Sequence, residues 1–321
     1  MNTIIRSHSH NPWYNLALED YLFSLGNLGA VLYLWQNQNT VVIGRHQNAW
    51  KECRTQLLEE EHGSLARRTT GGGAVFHDLG NLNFTFILPM ELYDVGRQCG
   101  VILKALNALG INAEFTGRND LTIGGAKFSG NAFRKTRERG MHHGTLIFDV
   151  DMTKLARYLA PSKAKLAAKG VESVRARVTN LTEHREDLTL EMLIEALEKA
   201  FVEEYGPART LLESEIDAEA FRHVHERFAS WEWRYGETPK FDVSIENRFD
   251  FGSIELLLSC FEGFVKCATV YSDANDEAYI DALEEALPGA RFAPEALAER
   301  VGALEGELSA PIADWLKTVE F

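Results

Sequence analysis

The fold is decided by Arg67-Arg68-Thr69-Thr70-Gly71-Gly72-Gly73-Ala74-Val75-Phe76-His77-Asp78-Leu79-Gly80-Asn81. Three consecutive glycines stand between two arginines and an apolar pair that leads into the alternating run Leu82-Asn83-Phe84-Thr85-Phe86-Ile87. Glycines beside strand-like sequence mark places where backbone approaches something closely or takes positive φ. Successive backbone N–H groups next to arginine form a cradle for phosphate or another anion. A loop needing flexibility alone would accept Ser, Asn or Asp and would not require two arginines at its mouth, so the anion site is the preferred reading over a solvated hairpin loop.

A chain of 321 residues exceeds one comfortable core and implies a large and a small domain. Hydrophobic residues at 45% and charged residues at 25% are ordinary for a globular protein, and no run is apolar enough to span a bilayer. Met1-Asn2-Thr3-Ile4-Ile5-Arg6 lacks the basic-then-apolar pattern of a secretory signal, so a cytoplasmic location is expected, without membrane association. Cys53, Cys99, Cys260 and Cys267 match no metal-ligand spacing and read as small buried hydrophobes. A net charge of −14 argues against a general nucleic-acid binder, while Arg and Lys gather at 118–139 and 154–177, as expected where one small anionic ligand is met.

In chain order, Asn11-Pro12 opens a helix, and Val31–Trp35 with Thr40–Gly44 reads as a hairpin across the polar turn Gln36–Asn39. Arg45 and His46 at its end are equally a solvated turn or part of a site. A Glu-rich helix is expected over 50–61, a strand up to Pro89, a helix over 94–109 and a short strand over 111–116. Asn119 to Phe133 reads as a hairpin turning at Gly124-Gly125, with Lys127 beginning the return strand. A strand at Met141–Phe148 and helices at 153–159 and 189–205 follow, with a basic, small-residue segment at Lys169–Arg177 expected to be a mobile loop. A helix over 219–230 runs into a domain edge near Gly236, and three strands and Ala/Leu/Glu-rich helices complete the chain. The expected class is α+β: a large mixed-sheet domain over 1–240 and a small C-terminal α+β domain over 241–321.

No Gly-Lys dipeptide and no Gly-x-Ser-x-Gly elbow occurs, which removes the P-loop and the hydrolase nucleophile. His225-Glu226 lacks a second histidine at zincin spacing. His142 and His143 on one strand point to opposite faces, so at most one of them meets a site. Lys127, on a partly buried strand with Phe128 and Phe133, would put a fixed positive charge opposite the glycine cradle.

Five motifs then coincide: Arg67 to Asn81, Gly117-Arg118-Asn119-Asp120-Leu121, Lys127-Phe128-Ser129-Gly130-Asn131-Ala132, His142-His143-Gly144-Thr145-Leu146, and Ser173 to Leu181. In sequence and order they resemble the motifs of the lipoate-protein ligase A family, and Asn11–Ala17, Ser230–Trp233 and the small C-terminal domain extend the resemblance over essentially the whole chain. It implies an enzyme that adenylates lipoate with ATP and Mg²⁺ and passes the lipoyl group to a lysine on acceptor domains of 2-oxoacid dehydrogenase complexes or the glycine cleavage H protein. It further implies that Arg68, Gly73, Ala74, Val75, Phe76 and Lys127 contact ATP, that Lys127 also contacts lipoate, and that Lys127 acts electrostatically in catalysis. Attack of a carboxylate on the α-phosphate builds charge that Arg68, Lys127 and Mg²⁺ would stabilise. Asp120 is the nearest motif carboxylate and either meets the metal or caps its turn; the metal ligands stay open. The rival readings are an octanoyl or lipoyl transferase with a cysteine thioester, which no motif cysteine supports, a biotin ligase of related fold, and a non-catalytic lipoyl-binding homologue.

Overall fold

Period-two alternation at Asn81–Pro89 places one strand at the centre of the larger unit: Leu82, Phe84 and Phe86 take one face, Asn83 and Thr85 the other, and all are buried. The computed structural model describes residues 1–45, 47–116, 120–159, 178–236, 241–272, 274 and 276–319. The expected mobile loop at Lys169–Arg177 lies outside them, as do His46 and the side chain of Asp120. Contacts divide the chain into two units, Met1–Arg45 with Glu61–Ala229 and His46–Glu60 with Ser230–Phe321.

The strands are β1 (Asn2–Arg6), β2 (Val31–Trp35), β3 (Thr40–Ile43), β4 (Ser64–Arg67), β5 (Val75–His77), β6 (Asn81–Pro89), β7 (Glu114–Thr116), β8 (Asp120–Ile123), β9 (Ala126–Lys135), β10 (Arg139–Ile147), β11 (Ala208–Thr210), β12 (Phe241–Phe249), β13 (Gly252–Phe261) and β14 (Phe264–Ser272). The helices are α1 (Pro12–Ser24), α2 (Ala49–Glu52), α3 (Thr55–Glu60), α4 (Val95–Ala108), α5 (Met152–Tyr158), α6 (Leu190–Tyr205), α7 (Ala218–Ala229), α8 (Glu277–Ala286), α9 (Pro294–Gly302) and α10 (Ser309–Lys317). Among the described residues no helix is long and apolar enough to cross a membrane.

The larger unit is built on an eight-stranded mixed sheet, β11-β1-β2-β6-β10-β9-β8-β7, parallel at β11-β1-β2 and antiparallel beyond. The Phe84 and Phe86 face meets Val101, Ile102 and Ala105 of α4 and Leu193, Leu197 and Phe201 of α6 in the main core. Each buried aliphatic or aromatic side chain of this kind contributes roughly 1.5–3 kcal/mol by leaving water. α1 borders the opposite face; the Asn11 side chain caps it by accepting from the backbone N–H of Trp13 and Tyr14, with Pro12 in its first turn. Asp94 caps α4 in the same way.

A second sheet, β4-β3-β5, carries the glycine stretch as the link from β4 to β5. This corrects the expected 31–44 hairpin: β2 belongs to the large sheet and β3 to the small one, so residues 36–39 cross between sheets. The polar residues there are structural: Asn15 Nδ2 donates to the Gln36 carbonyl and to Oδ1 of the buried Asn37. The expected helix over 50–61 is two short helices, α2 and α3. The Gly124-Gly125 hairpin forms as expected, both glycines at positive φ and Thr122 opposite Lys127.

In the other unit, β12-β13-β14 form an antiparallel sheet whose middle strand buries Ile254, Leu256, Leu258 and Cys260 at every second position. Helices α8 to α10 contribute Leu283, Leu297, Val301, Ile312 and Leu316 to the buried residues of this unit. The fold class is therefore mixed α+β with a separate small antiparallel sheet and helices, as expected.

Gly44, just after β3, fixes the distance between β3 and the glycine stretch, because a Cβ there would stand 2.3 Å from the Gly72 carbonyl oxygen. The three nearest atoms to that Cβ, in Gly71 and Gly72, are all backbone, so no rotamer relieves the clash. Gly44→Ala is expected to destabilise the protein by about 1–3 kcal/mol in urea denaturation; an unchanged midpoint would contradict this packing.

Candidate active site

Strand β4 ends at Arg67, and the next residue turns its side chain into a loop that its own guanidinium then shapes. Arg68 Nη2 donates to the carbonyls of Gly71 at 2.7 Å and Gly73 at 2.8 Å, Nη1 to the Val42 carbonyl at 3.2 Å, and Nε to Thr70 Oγ1 at 3.0 Å. Gly72 sits at φ +95°, a conformation that strains any residue with a side chain, and a Cβ there would also crowd Arg68 Nη2 at 2.9 Å. Arg67, fully buried, takes the other direction and donates from Nη1 to the carbonyls of Gly44 and Arg45. The pair expected at the mouth of the loop is therefore split: Arg68 borders the cavity and Arg67 braces the turn after β3.

Arg68 is buried, and that burial lowers its pKa to about 10, partly offset by Glu19. A chain of hydrogen bonds joins the two. Thr70 Oγ1 lies 2.8 Å from His143 Nε2, and His143 Nδ1 lies 2.7 Å from Glu19 Oε1. Thr85 also donates to Glu19 Oε1 at 2.6 Å, and Trp35 Nε1 donates to Thr85 Oγ1 at 3.0 Å. Arg68 Nε donates to Thr70 Oγ1, and the two ring nitrogens of His143 bridge Thr70 Oγ1 and the Glu19 carboxyl group. Arg68 and Glu19 thus stand at the two ends of one buried hydrogen-bonded path, and the carboxylate offsets part of the cost of burying the guanidinium.

The loop, β9 and β10 enclose a cavity of about 330 Å³, near the lower end of the roughly 300–1,000 Å³ typical of small-molecule sites. Arg68, Gly72, Gly73, Ala74 and Val75 line one side, Lys127 and Asn131 another, and Leu16, Trp35 and Val42 give an apolar part. Lys127 lies across Gly130, where a Cβ would come 3.3 Å from Lys127 Nζ. The Lys127 carbonyl accepts from Thr179 N–H at 3.0 Å, which ties β9 to the chain after residue 177. Among the residues proposed from sequence, Arg68, Gly73, Ala74, Val75 and Lys127 thus share one cavity. Phe76 does not line it: its ring is buried against Tyr158 at 5.4 Å.

The histidine pair divides as expected. His143 lines the cavity, while His142 lies on the other face among Phe84, Phe86 and Phe133, with Nε2 2.8 Å from Asn131 Oδ1. Sequence reasoning missed Glu19, Trp35, Asn83 and His77. The alternation of β6 could have pointed to Asn83, and the position of His77 two residues beyond Val75 could have pointed to that ring. His77 Nδ1 accepts from Asn37 Nδ2 at 3.2 Å. Among the described residues no group of three or more His, Cys, Asp or Glu is arranged to hold a metal ion. None of the four cysteines lines the cavity, and burial pushes the Cys53 thiol up to about 12 and the Cys99 thiol up to about 11.

Burial lowers the pKa of His77 to about 3, with Arg68 and His143 adding to the effect, and burial lowers His142 to about 3, with His143 adding. In the unfolded chain both rings would titrate near 6.5, so below that pH the unfolded state binds protons that the folded state refuses. The stability they confer is complete above pH 6.5 and is lost as pH falls, by about 1.4 kcal/mol per pH unit for each ring. Urea denaturation from pH 7 to pH 4.5 should show this loss, and His77→Gln should reduce the slope by one ring's share; a slope indifferent to that substitution would contradict the neutral buried assignment.

A family model described as the lipoyl protein ligase A/B catalytic domain matches residues 11–202, and one described as the bacterial lipoate protein ligase C-terminus matches residues 238–313. Among solved structures, the chain is similar to P. falciparum LipL1 in complex with lipoate, at 30% identity over 99% of this chain and 100% of that one, with a TM-score of 0.64. It is also similar to the bipartite lipoate protein ligase of Thermoplasma acidophilum, from a study of that enzyme and its E2 lipoyl domain, at 26% identity over 75% of this chain and 98% of that one, with a TM-score of 0.65. A lipoate-protein ligase A bound with ATP, 23% identical over 74% of this chain and 98% of that one, shares the fold at a TM-score of 0.63.

Proposed function

The chain belongs to the lipoyl protein ligase A/B family, and from that premise we propose that it activates lipoate with ATP and transfers the lipoyl group to a lysine of a lipoyl-acceptor domain. The observation that carries the proposal is the meeting of Lys127, Arg68 and the Gly72–Val75 backbone in one cavity with an apolar part. In the first step a lipoate carboxylate oxygen attacks the α-phosphorus, an O–P bond forms, and pyrophosphate leaves. In the second the acceptor lysine amine attacks the acyl carbon, AMP leaves with the bonding pair, and the amine loses a proton. Both steps concentrate negative charge, and a fixed ammonium and a backbone cradle held by a buried arginine lower the barrier without reorganising.

Lys127 is assigned the ATP, lipoate and electrostatic roles, Arg68 with Gly73, Ala74, Val75 and Phe76 the ATP contacts, Phe76 through its backbone alone. Arg68 acts chiefly by shaping the loop, since Val42, Gly71 and Gly73 take its donors. Mg²⁺ enters with the triphosphate as its counter-ion, and no step is assigned to a metal held by the protein. The lipoate complex of LipL1 and the pairing of the Thermoplasma acidophilum ligase with an E2 lipoyl domain support lipoate as substrate and a lipoyl domain as acceptor; our reading extends the acceptors to the lipoyl domains of 2-oxoacid dehydrogenase complexes and the glycine cleavage H protein. The placement of all four cysteines away from the cavity favours ATP over a thioester route.

Exchange of labelled pyrophosphate into ATP should depend on lipoate and require no acceptor. Lys127→Ala should lower it by at least about 10²-fold with an unchanged circular dichroism spectrum. Absence of exchange in the wild type, with transfer from an acylated carrier instead, would move the assignment to a transferase.

A further inference from the structure

The turn from β9 to β10, Arg134-Lys135-Thr136-Arg137-Glu138-Arg139, carries four basic residues and one acidic residue in a chain whose formal net charge is −14. It borders a groove of about 450 Å³ whose walls include Asp20, Phe23, Arg134, Arg137, Glu138 and Arg139. This groove continues the cavity along the same three elements. On α1, Leu16 lines the cavity and Asp20 and Phe23 the groove; on β9, Ala132 and then Arg134; on β10, His143 and then Arg139. At about 3.4 Å per strand residue, Arg134 stands roughly 7 Å beyond Ala132, and Arg139 roughly 14 Å from His143.

Most charges of the groove are already matched. Asp20 accepts from Arg134 at 2.6 Å and from Arg227 at 2.7 Å, Arg134 also lies over the Phe23 ring, and buried Arg139 donates to the carbonyls of Leu25 and Gly29. Arg137 and Lys135 are exposed; among the described residues Arg137 has neither a hydrogen-bond acceptor nor a carboxylate partner, and the Lys135 ammonium stands 4.8 Å over the Tyr93 ring. An acidic surface approaching this protein is repelled by its overall charge and attracted here, beside the cavity.

We propose that the basic β9–β10 turn and its groove dock an acidic face of the protein domain that receives the lipoyl group, so that the target lysine enters the adjoining cavity. The inference rests on the function proposed above. Complementary charge would set the orientation of the acceptor as well as its rate of encounter, and a domain lacking acidic residues near its lysine would be a poor substrate.

Calorimetric titration of an unlipoylated, acidic lipoyl domain of a 2-oxoacid dehydrogenase tests this directly. Lys135→Glu combined with Arg137→Glu should weaken binding at least about tenfold, wild-type affinity should fall as ionic strength rises, and Arg137→Lys should stay near wild type. Unchanged affinity in the folded double variant, salt-independent affinity, or no wild-type binding would overturn the docking surface. Lipoate-dependent pyrophosphate exchange by the same proteins reads the activating step separately: the double variant should keep the wild-type rate, and absence of exchange from the wild type would count against the proposed function.

Discussion

Compensation of one buried arginine governs this structure. Without partners, the Arg68 guanidinium could not be buried beneath the glycine loop at small cost, because an isolated ion in such surroundings costs several kcal/mol. Its partners come from four places in the chain: carbonyls of the loop itself, the Val42 carbonyl of β3, Thr70, and, through His143, the carboxylate of Glu19 on α1. The loop, the small sheet, the large sheet and α1 are thereby tied at one point. The shape of the cavity is a consequence of that tie.

This arrangement gives the glycines distinct reasons to exist. Gly72 is required by its positive φ, Gly44 is kept from bearing a side chain by the carbonyl of Gly72, and Gly130 leaves room for Lys127 to lie across β9. Gly71 and Gly73 face open space at their Cβ positions, so steric crowding does not explain them. Their carbonyls are the ones Arg68 holds, and neither residue takes positive φ.

Local signals in the sequence were sufficient where one element decides the outcome. The Gly124-Gly125 turn put Lys127 at the start of β9, the alternation at Leu82–Ile87 was that of a central strand, and period two separated His142 from His143. The same period separates Arg67 from Arg68, yet adjacency alone suggested a joint role, and the structure sends Arg67 to the turn after β3. Glu19 was illegible because its helix reads as an ordinary apolar segment, and only the docking of α1 on Thr85 and His143 gives the carboxylate partners. Asn37 looked like a turn residue for the same reason: its partners, Asn15 and His77, lie 22 and 40 residues away. The division of residues 50–61 into α2 and α3 carries no Gly or Pro to announce it.

The central claim is that the glycine loop and Lys127 act on one ligand. A crystal structure of the protein with lipoyl-adenylate bound tests it most directly. The account predicts the phosphate and acyl oxygens within about 3 Å of Lys127 Nζ and of the backbone N–H groups at 73–76, with the acyl chain against Leu16, Trp35 and Val42. A ligand bound with its phosphate away from Lys127, or with the loop and the lysine on different molecules, would contradict it.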